Sequence, residues 1–301
     1  MEELHGAEVL TRLAKVYQQL YIAPGRDKTS EYDDVVKRGH EISEGSLSHF
    51  TTSEKDSLVY EDTPAGKVCV ITLYHRQDFV TFLQIMAGRC ELTDIPDTQG
   101  ASIIDGVANW EKIRAHKDDF FKKESEMGNP CPDWPAEFRR FTSDKKNYLD
   151  TLIVLSVGPY SGVSADRVGL SEDEWLPLSH TIRKHHECTH FICRRKYPDL
   201  KDAIWDELVA DAVGIYAAFD HFDPQMEKIF LGIEGDHYTK GRLENYVEAS
   251  SDSEKLVKIE EMTGKIIRVL EQFEKLTSHN PCPDPYDIAI MLEESAFSPF
   301  A

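Results

Sequence analysis

No segment of the chain approaches the roughly 20 consecutive apolar residues that a membrane-spanning helix requires; the longest strongly apolar run is 152–157. Neither a membrane span nor a membrane partner is expected. The opening residues Met1-Glu2-Glu3-Leu4-His5 carry neither the basic nor the apolar segment of a secretory leader, so a cytoplasmic chain is expected. Basic charge is scarce as well: 34 Lys and Arg stand against 54 Asp and Glu, a formal net charge of −20. Binding a nucleic acid needs cations to neutralise phosphates. The densest basic clusters, Arg139-Arg140 with Lys145-Lys146 and Arg194-Arg195-Lys196, are short and lie among acids. They read as solvated helix faces, and nucleic acid is excluded as a partner. The six cysteines, at 69, 90, 131, 188, 193 and 282, include no Cys-x-x-Cys pair and are too dispersed for a disulfide scaffold. Free thiols are expected.

What is present suits a packed protein. Hydrophobic residues make up 41% and charged ones 29% of 301 residues, too apolar for a disordered chain and long enough for one large domain or two smaller ones. Apolar spacing predicts a first helix over 3–21, stopped by Ala23-Pro24-Gly25. A β-hairpin is expected from 57–61 and 67–75 around Asp62-Thr63-Pro64-Ala65-Gly66. Helices follow over 79–87 and 101–123, the second with the core stripe Ile103, Ile104, Val107, Trp110, Ile113, Phe120 and Phe121. Asn129-Pro130-Cys131-Pro132-Asp133 recurs as Asn280-Pro281-Cys282-Pro283-Asp284, each copy reading as the start of a helix. Residues 152–157 read as a strand, either in the core or offering an edge to an extended peptide, with Gly158, Tyr160 and Gly162 at its rim. Ser171 and Glu174 have capping-box spacing, and helices are expected over 179–196 after Pro177, over 199–222, and over 253–276 behind a seam from Leu256 to Phe273. The fold class is α+β, rich in helix with a small sheet.

The chemistry lies in His186-Glu187-Cys188-Thr189-His190. On a helix, residues four apart project about 40° from one another, so two imidazoles can share an ion, and Glu187 sits about 100° round from His186, beside a water but not itself a ligand. Beyond the sixteen residues 191–206, Glu207 and Asp211 fall one turn apart on an otherwise apolar helix. A catalytic zinc takes three protein ligands and leaves a position for water. Glu207 is the natural third ligand, and Asp211 can accept the free ring N–H of a ligand histidine, His186 above all. Cys193 returns to nearly the same helix face and is an alternative ligand, but a closed four-ligand site would leave Glu187 without a purpose.

His186-Glu187-x-x-His190 with Glu207-x-x-x-Asp211 resembles the gluzincin pattern of zinc metallopeptidases, the thermolysin-like arrangement, over residues 186–211. The resemblance implies a zincin-like catalytic region, taken as 151–301, with 1–150 an α+β region of unassigned role. It further implies zinc on His186, His190 and Glu207, Glu187 as general base, Asp211 behind the ligands, and a peptide or protein substrate. The pattern departs at Asp206, where that arrangement has an asparagine that helps hold substrate, so its mode of binding an internal peptide bond does not carry over. Such a reaction also needs a donor to the tetrahedral oxyanion, for which Arg242, His237 and Tyr246 are the candidates. The competing expectation is a non-catalytic interaction protein stabilised by a structural or vestigial zinc.

Overall fold

The computed structural model describes residues 3–199, 202–280 and 284–295. The chain divides into two compact units, Met1–Tyr60 with Cys69–Ser156, and Glu61–Val68 with Val157–Ala301. Strand 149–156 falls with the first unit in this division.

The first unit carries most of a sheet of five strands that, numbered along the chain, lie in the order 1-2-3-5-4, the tip of its hairpin, 61–68, being counted with the second unit. The region expected as one helix over 3–21 is strand β1 (Leu4–His5), helix α1 (Glu8–Val16) and a 3-10 turn over Gln18–Tyr21. Gly6, at φ 64°, turns the chain between strand and helix, which a residue with a Cβ resists. A single helical turn, α2 (Ser30–Tyr32), precedes the hairpin β2 (Ser57–Thr63) and β3 (Gly66–Leu73). Helix α3 (Arg76–Met86) follows, and its Phe79, Phe82, Leu83 and Ile85 join Val9, Leu10 and Leu13 of α1 in one core with Ile71 and Leu73.

The expected helix over 101–123 is instead strand β4 (Ala101–Ala108) followed by helix α4 (Trp110–Glu126). Ile103 and Ile104 pair across β5 (Leu149–Ser156), and the ladder shifts register before Val107, where Gly106 takes φ 76°. That extra residue mimics a helical spacing in the sequence. The Asn109 side chain then accepts from the Lys112 amide and starts α4. Only Ile113 of α4 is buried; Phe120 and Phe121, expected in the core, cluster instead with Trp134 of helix α5 (Trp134–Thr142), and Phe121 is exposed. Strand β5 runs parallel to β3 and antiparallel to β4, so both its edges are paired and it cannot take up a peptide strand.

The second unit is mainly helical. Helix α6 (Glu172–Lys196) starts about two turns earlier than expected, because the Ser171–Glu174 capping box holds the residues ahead of Pro177. Pro177 forgoes one backbone bond near the helix start and does not end it. Helix α7 (Ala203–Phe219) is capped by Asp202, whose carboxylate accepts from the Ile204 and Trp205 amides. The two helices approach closely at Gly214, where a Cβ would stand 2.8 Å from the Ile182 carbonyl oxygen. Helix α8 (Pro224–Leu231), the ribbon β6 (Ile233–Glu234) and β7 (His237–Tyr238), and a 3-10 turn over Arg242–Tyr246 lead to α9 (Asp252–His279) and α10 (Pro285–Glu294). The seam of α9 is buried at Ile259, Ile266, Val269, Leu270 and Phe273, while Leu256 is exposed. Glu61, counted with this unit, ties α6 to α10 by accepting from Lys184 and from the Tyr286 hydroxyl, both at 3.0 Å. Asp133 and Asp284, which close the repeated pentapeptide, cap α5 and α10; residues 281–283 lie outside the described residues. Among the described residues, no helix is long and apolar enough to cross a membrane.

Candidate metal centre

His186 and His190 lie on the face of α6 that packs against α7, 5% and 6% exposed. Their Nε2 atoms stand 2.9 Å apart. Glu207, from the first turns of α7, places Oε2 at 3.6 Å from His186 Nε2 and Oε1 at 3.5 Å from His190 Nε2. One ligand atom from each of the three residues therefore falls within 4.8 Å of the others.

The opposite nitrogen of each ring is already committed. His186 Nδ1 donates to Asp211 Oδ1 at 2.8 Å, and His190 Nδ1 to Asp206 Oδ2 at 2.7 Å. With Nδ1 protonated on both rings, both Nε2 atoms carry lone pairs, and two lone pairs facing each other repel unless a cation or a shared proton lies between them. A carboxylate behind each imidazole is the arrangement that fixes a ligand histidine and strengthens it as a base. The donor set of two imidazole nitrogens and one carboxylate matches a zinc site with one position left over. The residues present therefore fit a zinc ion.

Asp211 is fully buried and does not stand alone. The Tyr160 hydroxyl donates to its Oδ1 at 2.7 Å, and the Arg242 guanidinium pairs with its Oδ2. Arg242 also reaches the Tyr160 hydroxyl at 3.3 Å. Tyr160 is itself anchored, since its amide donates to Ser179 Oγ and Arg183 grips the carbonyls of Gly158 and Pro159. A guanidinium paired to a buried carboxylate offsets the cost of taking that charge out of water.

The charges follow from these contacts. Burial pulls the His190 ring down, but its bond to Asp206 outweighs this and holds it up at about 8. Burial, with His190 beside it, keeps His186 well below the ordinary histidine range. Burial works to raise Glu207, yet the two imidazoles and Arg242 hold its carboxyl below the usual range, and Tyr246 donates a hydrogen bond to it. Glu187 is pushed the other way, upward, chiefly by burial. Its carboxylate has no hydrogen-bond partner among the described residues.

Of the residues singled out from the sequence, His186, His190, Glu207, Asp211, Arg242 and Tyr246 are brought together, with Glu187 beside them. His237 is not: on β7 its side chain is 81% exposed and faces Glu260 at 3.6 Å. Cys193 belongs to a different group, with Asp206 and Glu293. Two participants escaped the sequence reading. In the sequence Tyr160 reads as the rim of a strand, because nothing in its spacing links it to residues 26 or more positions away. Asp206 reads in the sequence only as a departure from pattern, and its bond to His190 comes from the packing of α7 on α6.

Comparison with known proteins places the chain in one family: it belongs to a family of unknown function (DUF7005), matched over residues 2–293. No curated protein and no solved structure gives a match.

Proposed function

We propose that the chain is a zinc-dependent hydrolase, a metallopeptidase that cleaves peptide bonds with an activated water. The observation that carries this reading is the convergence of two Nε2 atoms and the Glu207 carboxylate, with each ring locked from behind by its own acid. His186, His190 and Glu207 would hold the ion, which when bound supplies Lewis acidity toward a water and a carbonyl. Glu187, raised by burial and free of partners among the described residues, takes the proton from the attacking water and returns it to the leaving amine. Tyr246, whose hydroxyl reaches Glu207, is the donor assigned to the oxyanion, its one O–H turning from that carboxylate to the oxygen that gains charge. Arg242 pairs with Asp211, reaches Tyr160 and lies 3.9 Å from Glu207, so it is assigned to positioning the His186 side of the centre.

The test is metal analysis of untagged protein together with a peptide-library digest by wild type and Glu187→Gln. Near-stoichiometric zinc is expected in both, with turnover falling about 10²- to 10⁴-fold in the variant. Zinc without cleavage of any peptide would make the ion structural and the chain an interaction protein. Absence of zinc, and of zinc binding on titration, would end both readings.

A further inference from the structure

A second group of metal-ligating side chains converges where α6, α7 and α10 meet, outside the three-ligand centre. Cys193, Asp206 and Glu293 each offer one ligand atom within 4.8 Å of the other two. They line a cavity of ≈160 Å³ that also borders Arg194 and Tyr197. The contacts orient the donors toward one another. Cys193 Sγ stands 3.4 Å from Glu293 Oε1, while the Trp205 indole N–H fixes the other oxygen, Oε2, at 3.1 Å. Asp206 uses Oδ2 for His190 at 2.7 Å, and its carboxylate also lies within 4.8 Å of the Cys193 sulfur.

We propose that Cys193, Asp206 and Glu293 form a second cation site for a borderline divalent ion such as zinc, joined to the first centre through Asp206. A thiolate with two carboxylates is a donor set for zinc and excludes magnesium and calcium, which take oxygen ligands alone. Three protein donors leave a fourth tetrahedral position. The cavity has ample space for a water there, whose share of liquid volume is about 30 Å³. Uptake of the ion releases the Cys193 proton to solvent. Asp206 would then serve a cation with one oxygen and His190 with the other, so filling either site alters the other's affinity. The inference does not rest on peptide hydrolysis, because Glu187 has no part in it.

The test is titration of the whole chelator-stripped protein with Co²⁺, followed by its near-ultraviolet and visible spectrum. Two equivalents are expected, one with a thiolate-to-cobalt charge-transfer band, which the sulfur-free centre at His186 and His190 cannot produce. Cys193→Ser should lose that band and keep one equivalent. Glu293→Gln, which retains an acceptor for Trp205, should weaken the band-bearing equivalent by at least about tenfold and covers the case in which Cys193→Ser does not fold. His186→Ala should keep the band and lose the other equivalent. One equivalent without a band in wild type, or a band that survives in Cys193→Ser, overturns the second site and leaves the peptidase reading untouched. A band without the sulfur-free equivalent upholds the second site and sinks the peptidase reading.

Discussion

At the residue scale, each imidazole of the candidate centre has its own acid: Asp211 for His186 and Asp206 for His190. Replacing either acid by its amide keeps the shape and removes the negative charge that holds the ring's proton on Nδ1. Asp206→Asn and Asp211→Asn are each expected to weaken zinc binding by about 10- to 100-fold, measured by competition with a chromophoric chelator. Asp211→Asn should also destabilise the fold, because it leaves the Arg242 charge without its buried partner, whereas Asp206 is partly exposed.

Glu227, on α8, presents a second residue-scale case. Its carboxyl is fully buried, neither oxygen has a hydrogen-bond partner among the described residues, and burial raises it well above the ordinary carboxyl range. The folded chain keeps this proton while the unfolded chain loses it above about pH 4.3. Stability is therefore lost as pH rises from there toward the folded value. Glu227→Gln removes this loss. Its stability relative to wild type should rise by about 1.4 kcal/mol for each pH unit in that window, measured by urea unfolding at a series of pH values. A difference that stays flat with pH would show that Glu227 is not held protonated.

At the element scale, the centre depends on how closely α6 and α7 approach. His186 and His190 share the buried face of α6, and Glu207 meets them only because α7 lies against that face. Gly214 sets the separation, since a methyl there would stand 2.8 Å from backbone at Ile182. Gly214→Ala is expected to cost about 1–3 kcal/mol by overpacking and to lower zinc affinity although it touches no ligand. Wild-type affinity in a destabilised variant would separate packing from ligand geometry. The capping residues work locally. Removing the Asp202 side chain, which receives two amides at the start of α7, should cost about 1 kcal/mol by thermal unfolding.

At the scale of the whole molecule, the three candidate ligands all belong to the second unit, while the first has its own core between α1, α3 and its sheet. Zinc binding stabilises only the state that assembles the ligands. Chelation is therefore expected to lower protection of the α6 and α7 amides in hydrogen exchange and to leave those of β3 and β5 unchanged. Equal loss in both units would show that the ion supports the chain as a whole.

The sequence by itself determined the parts that depend on near neighbours: the α+β class, the hairpin, the buried strand β5, the helix-borne His-Glu-x-x-His face, and Glu207 one turn from Asp211. Those follow from periodicity and from spacing along one helix, which a single element imposes on its own residues. It misled where two local rules gave the same spacing, as in β4, whose bulge at Gly106 imitated a helical stripe. Only the tertiary structure decided which distant residues meet. Tyr160 closes on Asp211, Asp206 turns to His190, Arg242 is drawn to a buried carboxylate, and His237 is left in solvent. Such meetings are set by the packing of whole elements, and no pattern within one of them encodes its partner.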